Sequence, residues 1–296
     1  MSKLPSTVFP ILYAYPGGSL MTYRWASAIS ASDNNKHYFR QMLIGLQNAG
    51  IRNIHILTHS LGVQTLMNVF ADVTDGHGND DEEKTIISPV ARLFQPALSS
   101  SSPSKSNPSR DPMLQVNKLV CRSITMMNPD FPVLAFREHG FRTLRRVTSL
   151  ITVIGDRFDQ ALFWSSVVNG FLNAPMGLEQ PSVLNSIAAT KQKGWYNRQC
   201  TIGQDIDMLD VDDDNNDVVN GDDGKAWLDC DVIDTTGLDT NVNDLRHHSY
   251  SMNSILIRDL EELIVSGKRA SDRSSLLHKT GNVYEYCHAP AFVKPE

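Results

Sequence analysis

Cysteine is scarce: only Cys121, Cys200, Cys230 and Cys287 occur in 296 residues. They lack the paired spacing of a zinc site and are too few for a disulfide framework, so a reducing compartment fits them best. Positive charge is also short. With 27 basic against 33 acidic residues the formal net charge is −6, which argues against a nucleic-acid or anionic-membrane partner, since either needs a clustered basic surface. The one basic knot, Arg142, Arg145 and Arg146, reads as a solvated helix face. No apolar run is long enough to span a bilayer. The run Val8–Tyr15 is broken by Pro10 and has neither the basic flank nor the cleavage site of a leader, so a cytoplasmic location is expected. No Pro/Gly linker divides the chain, and 41% hydrophobic content is enough for the core of one large α/β domain.

What is present centres on residues 54–67. An isoleucine-rich run, Ile54-His55-Ile56-Leu57, ends at Thr58-His59-Ser60-Leu61-Gly62, after which Val63, Leu66, Met67 and Phe70 recur at helical spacing. A strand, a sharp turn and a helix with Ser60 at the turn form a nucleophile elbow: the serine hydroxyl is raised above the carboxyl end of a parallel sheet, and the helix aims its first N–H groups at charge developing there. Thr58 stands where the Gly-x-Ser-x-Gly pattern has its first glycine.

Along the chain, Val8–Ala14 reads as a strand running into the turn Pro16-Gly17-Gly18. Residues 33–49 read as a helix closed by Gly50. Further strands are expected near 53–58, 118–126, 150–154 and 231–235, with helices following Asn128-Pro129-Asp130, starting at Gln160, and running from 251 to 265. Strands alternating with helices imply right-handed crossovers and a parallel sheet covered on both faces. Two insertions, 74–117 and 170–228, interrupt a domain expected to occupy 1–265, and 266–296 reads as a loosely attached tail. Asp210, Asp212 and Asp214 have the alternate spacing of a calcium loop, but Asn215 occupies the glycine position and no glutamate closes the pattern. The segment therefore reads as a solvated acidic insertion, with no metal.

A serine at an elbow, an aspartate after a later strand and a histidine after the last strand follow the chain order of α/β-hydrolases. A serine hydroxyl is a poor nucleophile at neutral pH, so an imidazole must take its proton during attack, and a buried carboxylate must hold that imidazole in one tautomer. Ser60 is the nucleophile candidate. Asp156 and Asp159 compete as the acid, although either could instead cap the helix near Gln160, and His247 and His248 compete as the base.

Several separated motifs resemble one family, the α/β-hydrolase-like proteins grouped as a domain of unknown function and found mainly in bacteria. Its strand ending in aromatic-Trp-Pro-Ser with a following tyrosine is similar to Tyr15-Pro16-Gly17-Gly18-Ser19 with Tyr23. Its Ala-His-Ser-Met-Gly elbow resembles Thr58–Gly62. Its Pro-Asp followed by phenylalanine resembles Pro129-Asp130 with Phe136, its Asp-x-Ala-Leu-x-x-Ser matches Asp159–Ser165, and its Asp-hydrophobic-Ile-Asp and Gly-His-Ser-Tyr are similar to Asp231–Asp234 and His247–Tyr250. The resemblance covers roughly 8–265 and implies Asp159 rather than Asp156 as the acid and His248 rather than His247 as the base. Here Thr58 replaces an alanine and His247 a glycine.

It further implies an α/β-hydrolase-like fold that is N-terminally incomplete, because the family's earlier strands and its oxyanion His-Gly turn have no counterpart. Leu61, the residue after the nucleophile, supplies one oxyanion N–H, and the Pro16-Gly17-Gly18 turn is the candidate for the other. Losing one donor costs about 3 kcal/mol. The expected activity is hydrolysis of a small-molecule carboxylic ester, less readily an amide, through an acyl-serine and without a cofactor. The rival reading is a catalytically weak hydrolase-fold protein that binds a ligand or partner.

Overall fold

In a computed structural model the described residues are 5–15, 23–71, 73–74, 85–97, 118–162, 164–165, 210–211, 218–220, 226–238 and 253–287. Their centre is a six-stranded sheet. The isoleucine-rich run forms β1 (Asn53–His59), followed by β2 (Val120–Met127), β3 (Ile151–Gly155), β4 (Asp231–Asp234), β5 (Leu276–Thr280) and β6 (Val283–Tyr286). Their order in space is β1-β2-β3-β4-β6-β5. All neighbours are parallel except β5, which runs antiparallel to β6.

Register explains why each central strand carries two consecutive apolar residues, one for each face: Met126-Met127 in β2, Val153-Ile154 in β3 and Val232-Ile233 in β4. Met126, Val153, Val232 and Val283 lie in one cross-strand row, and Met127, Ile154, Ile233 and Tyr284 in the next. Successive side chains point to opposite faces. The first row is buried in a core with Leu66, Phe70 and Phe141. The second joins Leu256 and Tyr286 in a separate core on the other face. A sheet covered on both sides needs continuous hydrophobic strands.

Helical segments among the described residues pack around it: α1 (Tyr23–Ala31), α2 (Asp33–Asn48), α3 (Gly62–Phe70), α4 (Val133–Ala135) and α5 (Phe141–Arg145), the last two flanking a π turn at Phe136–Gly140. Another, α6 (Ser254–Ser266), is capped by Asn253, whose side chain accepts from the N–H groups of Ile255 and Leu256, and ends at Gly267 with φ 65°. Ser32 caps α2, and Gly50 takes φ 86° just past its end, as its position in the sequence implies.

Three expectations need correction. Residues 8–14 form no strand. Pro10 removes a ladder donor in mid-run, Phe9 and Leu12 are 73% and 90% exposed, and only Tyr13 is anchored, by Asn35 and an edge-on contact with Phe39. The span 266–287 is not a loose tail, because its hairpin supplies β5 and β6, and Val283 and Tyr286 are buried. Parts of both insertions join the core: Val90 and Phe94 of the first and Trp227 and Leu228 of the second are buried. The short strands Asp210–Val211, Val218–Asn220 and Ala226–Leu228 form a separate antiparallel sheet. Finally, Arg145 is no solvated face residue, since it pairs with Asp229, to which Arg269 also binds.

Among the described residues no helix is long and apolar enough to cross a membrane. Cys121 and Cys230 are buried free thiols, and burial pushes the Cys121 thiol up to about 12.

Candidate active site

The carboxyl ends of β1 to β4 bring the site residues to one edge of the sheet. Ser60 directly follows β1 with φ 52°, a left-handed backbone that is uncommon outside glycine. Main-chain bonds hold it there. Its N–H donates to the carbonyl of Met127 at 3.1 Å, and its own carbonyl accepts from Asp130 at 3.2 Å and Val63 at 3.3 Å. Leu61 then takes helical angles and α3 starts at Gly62, with no side chain capping the helix. In that first turn the Val63 N–H is taken by the Ser60 carbonyl and the Gln64 N–H by the Leu61 carbonyl at 3.0 Å, so Leu61 and Gly62 carry the N–H groups that remain at the amino end of α3.

Thr58 fits this turn without crowding. A Cβ built on Gly62 would meet the Thr58 Cβ at 3.7 Å, an ordinary van der Waals contact, so threonine at the elbow's first position is compatible with the turn. The Thr58 hydroxyl itself is buried without a hydrogen-bond partner.

β2 is followed by a second left-handed residue, Asn128, with φ 41°. Its N–H donates to the carbonyl of Ile154 at 2.8 Å, which extends the pairing with β3 by one residue, and the chain then brings Asp130 to the elbow, where its N–H meets the Ser60 carbonyl. After β3, both acid candidates are buried. Asp156 accepts from the Phe158 N–H at 2.9 Å. Asp159 accepts from the Leu162 N–H at 3.1 Å, so it caps the helical residues 160–162 and 164–165. Capping does not disqualify it as the acid, since a carboxylate has two oxygens with about four acceptor sites.

β4 ends at Asp234, which is buried and accepts from the Thr236 N–H and from Lys279, each at 2.9 Å. Burial alone would raise its carboxyl, but those bonds outweigh it and hold the group below its ordinary value. Thr235 donates from its N–H at 2.9 Å and its hydroxyl at 2.8 Å to the Gly155 carbonyl, tying the loops after β3 and β4 together.

The fold thus places Ser60, Asp156 and Asp159 at the same edge of the sheet. His247 and His248, the Gly17-Gly18 turn, most of the insertion 170–228, and Asp212 and Asp214 lie outside the described residues. No group of three metal-ligating side chains occurs among the described ones.

Sequence reasoning assigned no role to a polar network running along the elbow helix. Asn35 donates to Thr65 in α3 at 2.9 Å, and Ser27 and Ser30 in α1 donate to Gln64 at 2.9 and 3.1 Å. Gln64 in turn donates to the Asp130 carbonyl at 3.1 Å. At its far end the Asp130 carboxylate gathers the hydroxyls of Tyr23 and Ser165. Tyr15 stands nearby: burial raises its hydroxyl, a bond with Thr65 opposes that rise and the Asp130 charge adds to it. The signal was present in the motifs, since Tyr23, Asp130 and Ser165 each belong to one, but nothing in the sequence says that they meet.

Compared with known proteins, residues 2–220 match the family model described as "Alpha/beta hydrolase of unknown function (DUF900)". The matched span includes Ser60, Asp130 and Asp159 and stops before His248. No curated protein and no solved structure matches the chain.

Proposed function

Because the chain belongs to this family of alpha/beta hydrolases of unknown function, we propose that it is a serine hydrolase acting on a small-molecule carboxylic ester, with Ser60 as nucleophile, His248 as base and Asp159 as the acid. The observation that supports this most is the left-handed backbone at Ser60, between the end of β1 and the uncapped start of α3. A strained non-glycine residue is retained only where the surroundings over-determine it, and such residues cluster at active sites.

In this reading the Ser60 Oγ attacks the ester carbonyl carbon while its proton passes to the imidazole of His248. The tetrahedral oxyanion is met by the N–H of Leu61 and the amino end of α3, where a donor is worth about 3 kcal/mol. Collapse breaks the bond to the alkoxy oxygen, which leaves as the alcohol with the proton from His248. Water, deprotonated by the same imidazole, then attacks the acyl carbon, releasing the carboxylic acid and restoring Ser60. Asp159 keeps the imidazole in the tautomer that faces Ser60 and stabilises its charged form. Amides, with a poorer leaving group, are slower substrates.

The test is labelling with a fluorophosphonate, which phosphonylates activated serines. Stoichiometric labelling of the wild type at Ser60, abolished by Ser60→Ala and by His248→Ala, is the expected result. A folded wild type that takes up no label refutes the reading and leaves a hydrolase fold used for binding.

A further inference from the structure

Tyr23, Asp130 and Ser165 come from three distant parts of the chain and meet at one buried point beside the nucleophile. Tyr23 opens α1, Asp130 is the third residue beyond β2, and Ser165 lies six positions after Asp159 on the helical stretch which that residue caps. The Tyr23 hydroxyl donates to Asp130 Oδ2 at 2.5 Å. The Ser165 Oγ is 2.9 and 2.8 Å from the two carboxylate oxygens and 2.6 Å from the Tyr23 hydroxyl. Asp130 is 3% exposed and Ser165 2%.

Burying a carboxylate is costly even when it is bonded, and apolar side chains of similar volume often hold a fold as well. What apolar residues could not do is join these particular groups. The main-chain N–H of Asp130 donates to the carbonyl of Ser60, so this one residue holds the nucleophile's turn through its backbone and the acid's helix through its side chain.

We propose that Asp130 is a positioning residue that fixes Asp159 relative to Ser60, acting through Ser165 with Tyr23 as the second hydroxyl. The inference rests on the serine-hydrolase reading and adds to it. Six positions at a helical rise correspond to about 9 Å, so a stretch pinned at Ser165 as well as at its capped end is held against rotation. Without the far pin, a swing of about 6° moves the capped end by about 1 Å, a displacement that can cost about a hundredfold in rate. The loosened carboxylate also supports the imidazolium less, so the base becomes less basic.

The experiment compares second-order fluorophosphonate labelling rates of the full chain from acid to neutral pH, with thermal unfolding measured alongside. The variants are Ser165→Ala, Ser165→Thr, Tyr23→Phe and Asp130→Asn. Ser165→Ala should label roughly ten- to a hundredfold more slowly, with the acid limb of its pH profile moved to lower pH and little change in melting. Ser165→Thr, which keeps the hydroxyl, should restore both rate and limb. Should Asp130→Asn fail to fold, the two Ser165 variants and Tyr23→Phe decide the matter. If the wild type labels at Ser60 while Ser165→Ala and Tyr23→Phe match it in rate and profile, the positioning role is overturned and the serine-hydrolase reading stands. A wild type that does not label defeats that reading and this inference with it.

Discussion

The turn between β5 and β6 offers a sharp test of how the second insertion joins the sheet. Gly281 opens that two-residue turn with φ 53°, and a Cβ placed on it would lie 2.1 Å from Trp227 Cε2 and 2.5 Å from two further ring atoms. Trp227 is buried in the short strand Ala226–Leu228, so the glycine lets the small antiparallel sheet rest on the closing hairpin. Gly281→Ala therefore meets two penalties. A left-handed alanine costs about 1–2 kcal/mol, and an overpacked ring about 1–3 kcal/mol more, for a total of about 2–5 kcal/mol. Gly267 is the internal control: its φ is 65°, but nothing lies within 4 Å of its Cβ position, so Gly267→Ala carries the backbone penalty alone. Urea unfolding followed by tryptophan fluorescence and circular dichroism measures both. With a slope of about 3 kcal/mol per molar, a 3 kcal/mol loss lowers the midpoint by about 1 M. In a Trp227→Ala background the added cost of Gly281→Ala should fall to that of Gly267→Ala, a coupling that a double-mutant cycle reads directly. Equal losses from the two glycine substitutions in the wild-type background would refute the packing of Trp227 on the turn.

Two further outcomes follow from buried charge. Arg273 and Asp259 form an ion pair at 2.7 Å with both side chains fully buried, and Asp259 also accepts from Ser275 and Tyr286. Arg273→Ala should cost about 3–5 kcal/mol in urea unfolding, because it strands a buried carboxylate, while the double replacement Arg273→Met with Asp259→Leu should recover much of the loss; a single-variant loss below about 1 kcal/mol would contradict the pair. His55 sits on β1 with Nδ1 2.8 Å from the buried hydroxyl of Ser123, and burial, followed by the charge of Arg122, lowers its pKa from 6.5. The unfolded chain then takes up the proton first, so the wild type should lose stability as pH falls from 6.5 towards the lower folded value. His55→Gln should show a flatter dependence across that window, and identical slopes would mean that the imidazole titrates normally.

The elbow was legible because three local signals coincide at Ser60: an isoleucine-rich strand, a serine followed by Leu61-Gly62, and a helical period beginning at Val63. The helix ending before Gly50 and the strands β2 to β4 were legible for the same reason, since each buries a continuous or periodic apolar set. Residues 8–14 misled because composition cannot show whether a strand has a partner, and Pro10 was the local sign against it. α1 was missed because Trp25, Ala26, Ala28 and Ile29 form no clean stripe in so short a helix. The closing hairpin did carry its signal, Gly281-Asn282 between Leu276–Thr280 and Val283–Tyr286, but Leu277 and Lys279 face solvent and blur the alternation. The members of the Asp130 cluster lay in separate motifs, but their meeting could not be read. Its members stand 107 and 35 positions apart, and only the crossovers of the sheet bring them together.

β4 occupies the interior of the sheet, flanked by β3 on one side and by β6 on the other. Its second neighbour is completed at Tyr286, 52 positions after Asp234. At a synthesis rate of about 5–20 residues per second, those residues take about 3–10 s to appear. Throughout that interval the nascent chain holds one side of β4 unpaired, with Val232 and Ile233 close to water and open to pairing with another chain. The hairpin of β5 and β6 therefore closes an edge of the sheet that stays open to pairing with another chain until it is made.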